Sequence, residues 1–196
     1  MAVVLGGTWA AARGLAWASE HSSIAAFETA RAAVASPPLG RAPVVRVDQS
    51  LWDSGRIRAY TRALMRPASP PLALLRIPRL GLEVPVLEGT DEWTLDRAVG
   101  HIEGTSRPGQ DGNVGIAGHR DGFFRVLKDI SEGDVVELAL LSEVRRFRVA
   151  RLSIVSPEDA RVLAPTQRPL LTLVTCYPFY FVGSAPRRFI VQAAPE

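Results

Sequence analysis

One cysteine, Cys176, occurs among the 196 residues of the chain. An intramolecular disulfide is therefore excluded, and three scattered histidines cannot complete a Cys/His zinc pattern. The thiol is either structural or reactive. Basic clusters are missing too. The cationic residues are nearly all Arg, they are spread along the chain, and the net charge is only +3, so there is no nucleic-acid footprint. Long apolar runs are also lacking. Met1 to Trp17 is rich in Ala, Gly and Trp with one charge at Arg13, which falls short of the roughly 18 to 20 apolar residues that span a bilayer. It also lacks the basic n-region and cleavage site of a signal peptide. This segment reads either as the cut-down end of a membrane anchor or as the start of an amphipathic helix.

What is present fits one globular domain with an appended tail. Fifteen Pro and 16 Gly favour many short elements joined by turns. Residues 1–36 form an N-terminal segment, helix-prone from Gly14 to Ala35 and broken at Pro37-Pro38. Residues 37–71 read as a Pro-rich linker and stalk that carries a short helical or irregular piece from Asp48 to Met65. From residue 72 to 196 the pattern becomes strand-like. Leu72–Ile77 is an apolar run closed by Pro78, and Leu82–Leu87 alternates, with Pro85 marking it as an edge strand. Thr90 or Asp91 caps a short helix. Asn113–Gly118 is a thin, glycine-rich strand that another backbone or a ligand can approach closely, and Phe123–Leu127 is a helical turn or two. Val135–Leu140, Arg146–Val155, Leu170–Cys176 and Arg188–Ala193 complete seven or eight strands. The predicted fold class is all-β, a sandwich or closed barrel, with a few short helices and a helical N-terminal extension.

Three candidates for acyl-transfer chemistry stand out. Leu170-Leu171-Thr172-Leu173-Val174-Thr175 is a β-branched, apolar strand that must end near Cys176, because Pro178 cannot donate to a ladder. A thiol at that position, followed by Tyr177, Phe179 and Tyr180, can be held rigid at a cleft mouth, although a lone buried cysteine is also an ordinary small core residue. His119, in Gly118-His119-Arg120-Asp121-Gly122, follows a strand and has glycines on both sides. Arg187 and Arg188 open the last strand about a dozen residues after the cysteine, where a guanidinium can come alongside the sulfur.

Together these residues resemble a known family. Thr172-Leu173-Val174-Thr175-Cys176 fits the TLxTC signature of sortases, with His119 at the end of an earlier strand and Arg188 opening the strand after the cysteine. The runs from Gly112 to Asp121 and from Cys176 to Pro186 are similar to class D sortases, and the likeness covers roughly Leu72 to Ala193. It implies an eight-stranded β-barrel cysteine transpeptidase that cleaves an LPxTG-like sorting signal of surface proteins. The acyl group then passes to an amine acceptor, a peptidoglycan precursor or a protein lysine.

By the same resemblance Cys176 is the nucleophile and His119 the general acid and then base. Arg188 donates to the oxyanion, with Arg187 as the competing choice, and Thr175 positions substrate or the catalytic arginine. A membrane location in the bacterial cell envelope, reached through the N-terminal segment, is implied too. The stretch Arg151 to Arg168 holds only Glu158 and Asp159 as acids, so no metal and no other cofactor is expected. Two rival readings share these residues: a thiol peptidase that only hydrolyses, and a non-catalytic β-barrel binding module in which Cys176 is buried and inert.

Overall fold

The computed structural model describes residues 25–31, 47–180 and 184–196. Eight strands close into a barrel: β1 (Ala73–Ile77), β2 (Leu82–Glu88), β3 (Val99–His101), β4 (Asn113–Ala117), β5 (Val135–Ala139), β6 (Val144–Val155), β7 (Leu170–Tyr177) and β8 (Arg187–Pro195). Around the barrel they run β1-β2-β3-β4-β7-β8-β6-β5 and back to β1. Pairing is antiparallel except between β2 and β3 and between β4 and β7. Side chains that alternate along each strand fill the interior, among them Leu75, Val84, Ile116, Leu138, Leu171, Leu173 and Val191. Among the described residues the helices α1 (Ser54–Leu64) and α2 (Glu92–Arg97) flank this barrel.

The closed barrel has no edge strand, so the reading of Leu82–Leu87 as an edge is corrected. Pro85 is tolerated because β2 meets β3 only from Val86 onward, which leaves one flank of the strand unpaired at the proline. Strand β3 had no counterpart in the sequence reading. Three residues are too few to show a period, and its His101 is buried between Glu88 Oε1 at 2.8 Å and the carbonyl of Ser106 at 3.1 Å. The cap of α2 is Asp91, whose carboxylate accepts from the backbone N–H of Trp93 and Thr94.

The described part of the segment expected as linker and stalk is packed rather than extended. Trp52, Tyr60 and Leu64 belong to the same core as the barrel interior, and Trp52 meets Tyr60 and Phe123 edge-on at centroid distances of 5.4 and 5.0 Å. Asp53 caps α1 through the N–H groups of Gly55 and Arg56. The helical stretch 25–31 covers the outside of the barrel instead. Phe27 packs on Leu74 and Ala139, which pair across β1 and β5, and Glu28 meets Arg76 at 2.6 Å. The rest of the N-terminal segment and residues 37–46 lie outside the described residues. No described helix is long and apolar enough to cross a membrane.

Candidate active site

Strand β7 fixes the cysteine. Leu171, Leu173 and Thr175 point inward and are fully or almost fully buried, so Cys176 belongs to the alternate, outward set and is only half-buried. Directly opposite in the β7–β8 ladder stands Arg188, while Arg187 stands opposite Tyr177. Side chains paired across a ladder share a face. Arg188 therefore lies on the cysteine's face and Arg187 on the other. The Arg188 guanidinium is turned toward the β7–β8 connection, where Nη1 donates to the carbonyls of Ala185 at 3.3 Å and Arg187 at 3.1 Å. Beyond the cysteine, Tyr177, Phe179 and Phe189 stack into an aromatic cluster with centroid distances of 5.4 to 6.4 Å, bracing the strand end.

Strand β4 delivers the histidine. It runs parallel to β7, from Asn113 opposite Leu170 to Ala117 opposite Val174. Gly115 within the strand and Gly118 just past its end are both there for close approach. A Cβ on Gly115 would come within 3.0 Å of the Leu163 and Thr105 side chains, because the 3-10 turn Ala160–Leu163 lies directly over the strand. A Cβ on Gly118 would fall 2.7 Å from the ring of Phe124. No side chain fits there without moving the core aromatic. The Gly118 N–H donates to the carbonyl of Val174 at 3.1 Å, and its carbonyl accepts from the Thr175 hydroxyl at 2.7 Å. Thr175, expected to touch substrate or the arginine, is thus an interior residue. It ties the backbone just before His119 to the residue just before Cys176.

Cys176 and His119 line one cleft of about 670 Å³, together with Asp53, Arg56, Arg120, Asp121, Arg125, Phe179, Tyr180, Ser184 and Ala185. Neither Arg187 nor Arg188 is part of that lining in this conformation. The charged residues on the far side were not singled out by the sequence reading. Arg56 of α1 donates to Asp96 of α2 and lies 3.1 Å from Asp121. His119 Nε2 sits 3.6 Å from the same Asp96 Oδ1, buried and without a hydrogen bond. Arg120 donates to the carbonyl of Pro178 at 3.1 Å, and Arg125 donates to that of Phe179 while its guanidinium covers the Tyr180 ring at 4.3 Å. Asp121 lies two positions after the histidine and was within reach of a motif reading. Arg56 and Asp96 are separated by 40 positions, and only the fold joins them.

Burial pushes the His119 imidazole below its ordinary value, and the Arg56 charge pushes the same way against the carboxylates of Asp121, Asp96 and Glu92. The ring is therefore neutral near pH 7 and available to take a proton. No grouping of His, Cys, Asp and Glu suited to a metal ion occurs among the described residues.

A sequence model of the sortase domain matches residues 75–196. Sortase D of Bacillus subtilis (strain 168) is 32% identical over 136 residues, spanning 68% of this chain and 69% of that protein. Sortase SrtE1 of Streptomyces coelicolor is 34% identical over 125 residues, which is 54% of this chain but only 36% of the longer relative. Among solved structures, a Clostridium perfringens sortase D5 transpeptidase superposes with a TM-score of 0.66 over 91% of this chain and 99% of its own, at 22% identity, a likeness of fold. The barrel order, the strand-end thiol and these matches agree, and the chain belongs to the sortase family of cysteine transpeptidases.

Proposed function

We propose that Cys176, His119 and Arg188 carry the transfer, on an LPxTG-like sorting signal of a surface protein. The observation that supports this most is the placement of the chain's single thiol on the same cleft as His119, directly across the ladder from Arg188. The Cys176 thiolate attacks the carbonyl carbon of the signal's Thr. The carbonyl π electrons move to oxygen, where the Arg188 guanidinium donates hydrogen bonds after leaving the Ala185 and Arg187 carbonyls. Collapse breaks the peptide C–N bond, and imidazolium His119 protonates the departing amine, which leaves a thioester on sulfur. The incoming amine then adds to the thioester carbonyl, neutral His119 takes its proton, and the C–S bond breaks to regenerate thiolate. Burial in the cleft strengthens each of these charge contacts relative to water.

Substrate reading falls to the β6–β7 connection around Arg151–Arg168, whose turn Ala160–Leu163 lies over β4, and to the Pro178–Ala185 segment, of which Phe179, Tyr180, Ser184 and Ala185 line the cleft. The acceptor is an amine of a peptidoglycan precursor or a protein lysine, and the N-terminal segment holds the enzyme to the outer face of the cell membrane. The direct test incubates the protein with a panel of LPxTG-like peptides with and without triglycine and weighs the products. Ligated peptide that requires triglycine supports transfer. Hydrolysed peptide at the same rate in both arms would favour a thiol peptidase instead.

A further inference from the structure

A buried ion pair stands beside the imidazole. The side chains of Arg56 and Asp96 are 15% and 11% exposed, and they join α1 to α2. Taking two charges out of water is costly, and an apolar contact would hold two helices at least as well. The pair has a neighbour that an apolar contact could not serve. Asp96 Oδ1, the oxygen that accepts from Arg56, faces His119 Nε2 at 3.6 Å, and that nitrogen is buried with no other acceptor. The gap exceeds a hydrogen bond by a few tenths of an ångström, which a small rotation of the ring closes. On the other side, Asp121 holds Arg56 at 3.1 Å from the histidine's own loop. The guanidinium is thus held beside the carboxylate from two sides.

We propose that Asp96 is a positioning residue for His119, with Arg56 as the clamp that keeps the carboxylate in place. Oδ1 holds Nε2 toward α2, so Nδ1 is the nitrogen that exchanges a proton with Cys176. In that exchange the S–H bond breaks, an Nδ1–H bond forms, and thiolate and imidazolium result. The proton passes from sulfur to Nδ1 alone, and Asp96 takes no part in the transfer. Its charge supports the imidazolium, and Arg56 moderates that support, so neither protonation state of the ring is trapped. The charged groups that face the ring are Arg56 from α1, Asp96 and Glu92 from α2, and Asp121 from its own loop. Helix α1 thereby becomes part of the transferring site although it precedes the barrel. The proposal rests on the assignment of the transfer to Cys176 and His119.

The experiment uses the full chain with isotope-labelled histidine. Only three histidines occur, so the ring signals of His119 can be assigned by loss in His119→Ala. Their midpoint is followed by NMR from pH 4 to 9 in the wild type, Asp96→Asn and Arg56→Gln. Asp96→Asn is expected to move it to lower pH and Arg56→Gln to higher pH. In Asp96→Asn, transfer of an LPxTG-like peptide to triglycine is expected to fall in kcat by roughly 10- to 100-fold with KM little changed, the scale of a misplaced catalytic group. Asp96→Glu should recover part of it. Simple loosening of the helices would shift both midpoints in one direction, and that result, or no shift in either variant, overturns the proposal. If Asp96→Asn does not fold, Asp96→Glu decides instead: a lowered kcat with the His119 midpoint little changed is expected, and transfer at the wild-type kcat overturns the proposal. A His119→Ala enzyme that transfers at the wild-type rate would instead sink the assignment of the chemistry, and the positioning role with it.

Discussion

The two walls of the cleft are held by different physics. One wall rests on a continuous β7–β8 ladder, in which Arg188, outside the lining, stands opposite Cys176, with Leu171 and Leu173 buried beneath and three aromatic rings closing the end. On the other, His119 rides a loop whose position depends on ion pairs among α1, α2 and that loop, and on two arginines that grip the carbonyls of Pro178 and Phe179. Ladder and core fix the Cys176 thiol cooperatively, so its geometry tolerates small changes nearby. Ion pairs fix the histidine singly, in a half-buried setting where each charge also tunes the imidazole. With the proposed roles, a rigidly held thiol beside a tunable imidazole suits a reaction in which one histidine must give a proton and later take one.

The comparison is broken most completely at the sulfur. Cys176→Ala should abolish both cleavage and transfer while leaving the fold intact, which product mass spectrometry and circular dichroism check together. Next comes the anchoring of the charged wall: Trp52→Ala removes a ring packed between Tyr60 and Phe123 and should cost about 3–5 kcal/mol of stability. Denaturant titration reads that loss. An unchanged midpoint would return Asp48–Met65 to the role of a stalk. Arg188→Lys keeps the charge but not the guanidinium fork, and transfer should fall by roughly a hundredfold. If Arg187→Lys were the impaired protein instead, the oxyanion role would pass to the other face of β8.

Much of the ladder-held wall could be read from residue order. Leu170–Thr175 is locally consistent as a strand, Pro178 limits its end, and the TLxTC run with His119 and Arg188 in the right order carries the resemblance. The other wall was closed to such reading, because ion pairs between Arg56, Asp96 and Asp121 leave no periodic trace and depend on which helix the barrel brings near. Pro85 misled for a related reason. A proline excludes a ladder donor only on the flank where it is needed, and sequence does not say that β3 starts one residue later. Thr175 was placed at the site by its neighbour in sequence, but strand alternation turns adjacent side chains to opposite faces.

Smaller effects sharpen the contrast. Thr175→Val removes the hydroxyl bonded to the Gly118 carbonyl and should lower stability by about 1–2 kcal/mol. Transfer should fall more than stability does, since the lost bond connects the two walls; a change in melting temperature without a change in kcat would deny that coupling. The smallest expected effect is on acid stability. The folded state holds His119 below its ordinary value, so the unfolded chain binds the proton first as pH falls. This contribution is therefore complete above about pH 6.5 and declines below it. Thermal melts between pH 5 and 7.5 should show a shallower slope in His119→Gln than in the wild type, and equal slopes would count against a buried neutral ring.

The central claim is that the strand-end thiol of Cys176 is the acyl carrier of this transpeptidase. Peptide mapping by mass spectrometry after incubation with LPxTG-like peptides, without any amine acceptor, tests it most directly. The account predicts an acyl adduct confined to the Cys176 peptide, cleared on addition of triglycine with release of ligated product. Turnover of the same peptides by a Cys176→Ala protein, with no adduct on the wild-type cysteine, would contradict it.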